Sequence, residues 1–179
     1  HCASFRGPIA KPLIEIDEEV WKKIIDINLT GSFLIARTVA KHMVETNGEG
    51  KKIVLISSLA GTRGQPGSGG YASSKHGVIG LGLSLAAELA QYKINVNMIS
   101  PGAFDTNLRD EAMTERAADQ GKDVSELLKQ QAQGPGPGLP WGRLGTPDEI
   151  ADLVSFLVSD QATYISGAEI RIAGAVGIT

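Results

Sequence analysis

The sequence predicts an α/β fold built on a parallel sheet. Three short apolar runs, at 52–57, 94–99 and 169–172, each follow a stretch of helical periodicity. The first run, Lys52–Ser57, is apolar and β-branched, as expected for a strand covered on both faces by crossover helices. Three strands are few for such a sheet, whose inner edge needs a partner. The expected context is therefore the C-terminal part of a larger doubly wound domain.

The elements follow in order. Residues 1–12 read as a loop, with no signal-type apolar stretch. Asp17 is a plausible N-cap, with Glu18 and Glu19 in the first turn, where the helix dipole favours acids. Val20, Trp21, Ile24, Ile25, Phe33, Leu34, Val39 and Met43 then continue at helical spacing, giving one long helix or two consecutive ones that end near Asn47-Gly48. Lys52–Ser57 is the first strand. Residues 59–70 form a Gly-rich loop, and a helix runs from Tyr71 to about Tyr92. Ile94–Ile99 is the second strand, halted by Pro101-Gly102. Residues 107–133 are polar and helical in part, and Gly134–Gly138 breaks them. Thr146 caps a helix that has Pro147 at its first position and runs to about Ser159. Glu169–Ile172 is the last strand. The helices before the first two strands would cover one face, and the 147–159 helix the other.

Composition narrows the function. The chain has 179 residues, enough for one domain over 1–179 with a single core. Seventeen Lys and Arg against twenty Asp and Glu give a charge of −3, which argues against a phosphate-backbone partner, and no nucleic acid is expected. No apolar run suggests a membrane span. Cys2 is the single cysteine, so neither an internal disulfide nor a Cys-based zinc site can form, and His1, His42 and His76 show no ligand spacing. No metal is expected. A cytoplasmic enzyme or binding domain remains.

Tyr71-Ala72-Ser73-Ser74-Lys75 is the sharpest local signal. Positions i and i+4 share a helix face, so phenol and ammonium point the same way. A free phenol titrates near pH ~10, and an adjacent cation favours its phenolate, which makes such a pair a sound acid/base. A Tyr and a Lys so spaced are also common on a solvated helix face. Ser58, thirteen residues before Tyr71, stands at the end of the first strand, where open α/β sheets bind ligands. Its hydroxyl can donate and accept, although a strand-end cap would use the same residue. Pro101-Gly102-Ala103-Phe104-Asp105-Thr106 ends the second strand with close backbone access and a hydroxyl. Asn28 interrupts an apolar helical stretch, as a surface polar residue or a helix irregularity would.

Asn28-Leu29-Thr30-Gly31, Ile56-Ser57-Ser58-Leu59-Ala60-Gly61, Tyr71–Lys75 and Pro101-Gly102 with Thr106 together resemble the short-chain dehydrogenase/reductase family. Gly142–Ala151 and Tyr164-Ile165-Ser166-Gly167 agree, so the likeness covers about residues 9 to 174. It implies a Rossmann-like, three-layer α/β/α domain that moves hydride between NAD or NADP and a secondary alcohol or ketone. Tyr71 would be the general acid/base. Lys75 would favour its phenolate and hold the nicotinamide ribose, and Ser58 would grip the substrate oxygen. The Asn28 backbone would anchor a water that links Lys75 to solvent. Pro101, Gly102, Ala103, Phe104 and Thr106 would contact the cofactor, with Thr106 and the neighbouring backbone fixing its carboxamide.

The family's Gly-rich dinucleotide turn and Asn-Asn-Ala-Gly stretch have no counterpart here, so N-terminal strands and helices are expected to be missing from this chain. Gly67-Ser68-Gly69-Gly70 follows a loop rather than a strand and has no acidic ribose partner, so it is not that turn. Ala173-Gly174-Ala175 replaces the usual Asp-Gly-Gly. The pocket is expected from residues 60–70 and 103–141. Gln65, Phe104, Leu108, Met113 and Trp141 would line it beside Ser58, although loop packing explains each equally well. The resemblance also implies a homotetramer packed in part through the helix that begins at Tyr71. Two other readings are a catalytically incomplete subunit with an interaction role, and a dehydration or epimerisation on the same scaffold.

Overall fold

The structure is a computed structural model that describes residues 3–46, 49–125 and 139–177. Residues 3–12 carry no regular structure. Helix α1, Glu18–Ile25, starts after Asp17, which holds the extended N-cap conformation. The Asp17 carboxylate makes no cap bond and instead meets Lys11 Nζ at 3.3 Å. Acids in the first turn of α1 and Lys22 and Lys23 in the last complement its dipole. One turn of π-helix, Asp26–Thr30, joins it to α2, Gly31–Glu45. The expected stretch, one long helix or two consecutive ones, is thus a continuous run with an irregular joint at Asn28. The expected end at Asn47-Gly48 lies outside the described residues.

Strand β1, Lys52–Ile56, leads through a short 3₁₀ turn at Leu59–Gly61 to α3, Gly69–Leu89, which begins two residues earlier than expected. A further 3₁₀ turn, Ala90–Tyr92, precedes β2, Asn95–Pro101. Helix α4, Asn107–Gln120, realises the part-helical expectation, and Gly134–Gly138 lies outside the described residues. Helix α5, Pro147–Val158, is closed at its start by Glu149, whose carboxylate accepts from the Thr146 N–H at 2.8 Å. Strand β3, Glu169–Ile172, is last.

The three strands pair in parallel, in the order β1-β2-β3, with Leu55 beside Met98 and Ile99 beside Ile170. Alternation of side chains splits the core in two. Ile53, Leu55, Val96 and Met98 pack with Ala36, Ala40 and Val78 on the α2/α3 face. Val54, Ile56, Ile99 and Ile170 pack with Leu157 of α5 on the other. Val96, Met98 and Ile99 are fully buried, each contributing about 1.5–3 kcal/mol of hydrophobic stabilisation.

Two buried polar residues on β2 fasten the chain that leads into β3. Asn97 Nδ2 donates to the Ile165 carbonyl at 2.7 Å, and its Oδ1 accepts from Ala168 N at 3.0 Å. Asn95 Nδ2 donates to the Thr163 carbonyl at 2.9 Å. Among the described residues no helix is long and apolar enough to cross a membrane.

Candidate active site

The carboxyl ends of β1 and β2 open on a cleft of about 430 Å³, within the range of ligand pockets. Ser58, Tyr71 and Lys75 all line it, although they come from two elements. Local packing sets their positions. Tyr71 and Lys75 lie in the first two turns of α3 and are 7% and 5% exposed. A lysine so buried needs partners. The Lys75 ammonium donates to the Ile56 carbonyl, the last of β1, at 3.2 Å and lies 5.6 Å from the centre of the Tyr71 ring. Ser57 Oγ donates to the Lys75 carbonyl at 2.9 Å, so strand and helix are tied together on both sides of this lysine.

Gly61 makes that approach possible. A Cβ there would lie 2.8 Å from the Lys75 carbonyl carbon and oxygen. Ser58 is the N-cap of the Leu59–Gly61 turn, where its Oγ accepts from Ala60 N at 3.2 Å. The expected strand-end cap is therefore present, and the hydroxyl proton stays available for a ligand. The Tyr71 hydroxyl has no hydrogen-bond partner among the described residues.

Pro101, Gly102, Ala103, Phe104 and Thr106 form the β2 side of the cleft. A Cβ at Gly102 would sit 2.7 Å from the Cβ of Ala173, so the backbone there runs hard against the segment after β3. Phe104 is bridged to Gly145: Asp105 N donates to the Gly145 carbonyl at 2.9 Å, and Gly145 N to the Ala103 carbonyl at 3.0 Å. Thr106 takes the N-cap position of α4 without using its side chain as a cap. Gln65, Leu108 and Met113 also line the cleft.

Two expected residues stand elsewhere. Trp141 is not among the cleft-lining residues. It is 67% exposed, with the Arg143 guanidinium 5.8 Å from its ring, because the turn before α5 faces it outward and its apolar character could not reveal that direction. Asn28 is fully buried behind the cleft rather than on it. Its Nδ2 donates to the Phe5 carbonyl and to Ser74 Oγ, both at 2.9 Å, while its Oδ1 accepts from Phe5 N at 2.7 Å. Its backbone carbonyl accepts from Ser32 Oγ at 2.5 Å.

Sequence reasoning missed Arg6, Arg63, Arg109 and Arg116, which also line the cleft. The Arg6 guanidinium lies 5.5 Å from the centre of the Tyr71 ring. It comes from a loop without periodicity, so no pattern pointed to it.

An open parallel α/β sheet with a Ser, a Tyr and a Lys gathered at its strand ends defines a ligand-binding domain with acid/base capability. A family model described as enoyl-(acyl carrier protein) reductase matches residues 1–176, and the chain belongs to the short-chain dehydrogenase/reductase family. A (3R)-3-hydroxyacyl-CoA dehydrogenase from Rattus norvegicus is 36% identical over 162 residues, 90% of this chain and 56% of the relative. A 3-oxoacyl-(acyl-carrier-protein) reductase from Mycobacterium bovis is 37% identical over 166 residues, 93% of this chain and 60% of the relative. The chain thus spans less than two thirds of the length of these curated relatives. Among solved structures, an actinorhodin polyketide ketoreductase with NADPH has a TM-score of 0.87 at 29% identity, covering 99% of this chain and 66% of that one. An NAD+-bound xylitol dehydrogenase has a TM-score of 0.85 at 29% identity, covering 97% and 66%.

Proposed function

We propose that this chain carries the catalytic half of a single-domain, cytoplasmic oxidoreductase that interconverts a secondary alcohol and a ketone with NAD or NADP. The observation that carries this reading is the shared cleft of Ser58, Tyr71 and Lys75 at the end of β1. The relatives named as hydroxyacyl dehydrogenases and oxoacyl reductases support the reaction class, and the neighbours with NADPH and NAD+ support the cofactor.

The bound nicotinamide supplies or accepts the hydride. The residues around the site suit its carboxamide and ribose. Thr106 offers a hydroxyl not spent on capping, Gly102 brings the strand-end backbone to the cleft wall, and Lys75 brings an ammonium to the same cleft. Pro101, Ala103 and Phe104 complete that wall.

The remaining chemistry belongs to side chains. In reduction the Tyr71 hydroxyl donates its proton to the carbonyl oxygen, and in oxidation the phenolate takes the alcohol proton. The Lys75 ammonium, 5.6 Å from the centre of the Tyr71 ring, orients the ribose. Ser58 donates its free hydroxyl proton to the substrate oxygen. The Asn28 backbone carbonyl, which accepts from Ser32 Oγ, would anchor a water that returns protons to Lys75. Gln65, Leu108 and Met113 contact the substrate body. A homotetramer, with copies joined through α2 and α3, is the assembly we assign.

The experiment is Tyr71→Phe in the full protein. Turnover should fall by about 10²–10⁴-fold, while cofactor affinity, read by nicotinamide fluorescence, is retained. Undiminished turnover would remove the acid/base assignment.

A further inference from the structure

Charge is unevenly distributed over this molecule. The whole chain has a charge of −3, yet Arg6, Arg63, Lys75, Arg109 and Arg116 all line the cleft, and no Asp or Glu does so among the described residues. Arg109 is paired with Asp110 at 3.2 Å. Arg6, Arg63 and Arg116 meet no carboxylate among the described residues. They come from three separate parts of the chain: the N-terminal segment, the connection between β1 and α3, and α4. The Nε of Arg6 is buried without an acceptor, and its guanidinium lies 5.5 Å from the ring centre of Tyr71. Buried donors are ordinarily satisfied, so an unpaired one beside the reacting phenol points to an anion that completes the site.

We propose that the substrate carries an anionic group, a carboxylate or a phosphate ester, held by Arg6, Arg63 and Arg116; the inference rests on the oxidoreductase reading of the same cleft. A concave wall lined by one sign of charge focuses its field and concentrates the counter-ion. The planar guanidinium fork matches the oxygens of both carboxylate and phosphate. Arg63 and Arg116 lie in the two segments that supply Gln65 and Met113, which assigns their charge to the substrate side rather than to the cofactor wall formed by Pro101–Thr106. The neutral body of the substrate rests on Leu108 and Met113, and its carbonyl reaches Ser58 and Tyr71.

The test uses the full protein with cofactor and two matched pairs of ketones: levulinate with methyl levulinate, and dihydroxyacetone phosphate with dihydroxyacetone. Dissociation constants are measured by calorimetry and kcat/KM by nicotinamide absorbance. The charged member of at least one pair should bind about tenfold or more tightly than its neutral partner, with the advantage shrinking as salt rises. The pair that shows it identifies the anion. Arg63→Gln combined with Arg116→Gln should erase most of the advantage. Equal affinities within both pairs would overturn the proposal, as would a double variant that weakens cofactor binding while leaving the charged-to-neutral ratio unchanged. Charge-selective binding without reduction of any ketone would keep the anion site and reject the oxidoreductase reading. Reduction without charge preference would reject the anion site alone.

Discussion

Asn28 reaches Ser74 at 2.9 Å, and Ser74 Oγ donates to the Tyr71 carbonyl at 2.7 Å, so the π-turn is hydrogen-bonded to the helix that carries Tyr71 and Lys75. The same amide satisfies both backbone groups of Phe5. Asn28→Ala would leave the Phe5 N–H and C=O without their partner in a half-buried setting. Unsatisfied buried groups of this kind cost about 1–3 kcal/mol each. The expected loss is about 2–4 kcal/mol, read as a lower urea midpoint at constant slope. An unchanged midpoint would mean that water replaces the amide.

Gly61 offers a sharper test of site geometry. A methyl group there meets the Lys75 backbone at 2.8 Å and Ser57 Oγ at 2.7 Å, so α3 must move away from the end of β1. Small misplacements of catalytic groups can cost about 10²-fold in rate. Gly61→Ala should therefore lower kcat on that scale. Gly64→Ala, where a methyl group meets nothing within 4 Å, should leave it within about twofold. Equal behaviour of the two variants would show that the Gly61 contact does not set the position of Lys75.

The fold was readable because its signals are local. A β-branched run marked β1, Pro101-Gly102 marked the end of β2, and Thr146-Pro147 marked the start of α5 to the residue. The cleft was readable from motif residues at the strand ends. The π-turn was not, because one extra residue per turn leaves composition and apolar spacing almost unchanged, and only Asn28 in an apolar run hinted at it. Arg6 and Trp141 mark the other limit. Both sit on irregular segments, where neither charge nor apolarity tells which way a side chain faces. Tertiary contacts turn Arg6 into the cleft and Trp141 out of it.

The start of α5 should respond to pH through one group. Two bonds from Arg143, at 2.6 and 3.0 Å, and one from the Thr146 N–H hold the Glu149 carboxyl down to about 2 from its ordinary 4.5, with Arg143 the larger cause. A carboxyl lowered on folding stabilises the protein above its unfolded value, and that contribution is lost as pH falls toward the folded value. Between about pH 4.5 and 2 the native protein should lose stability more steeply than Glu149→Gln, which lacks this titration. Parallel denaturation midpoints over that range would show that the bonds do not persist in solution.

Helix α2 is amphipathic in an inverted sense. It packs on the core through Ser32, Ala36 and Ala40, while Phe33, Leu34, Ile35 and Val39 are 44%, 50%, 47% and 39% exposed. Small residues inward let α2 lie close to its neighbours, and the large apolar side chains are left for another surface. Leu83 of α3 is likewise 48% exposed. A self-complementary apolar face is the usual basis of closed symmetric assembly. The full protein should therefore sediment as a tetramer at micromolar concentration, and Leu34→Glu with Val39→Glu should lower its mass, because carboxylates buried without partners at that contact are costly. A native protein that sediments as a monomer would refute the assembly. A double variant that remains tetrameric would move the contact to a different face.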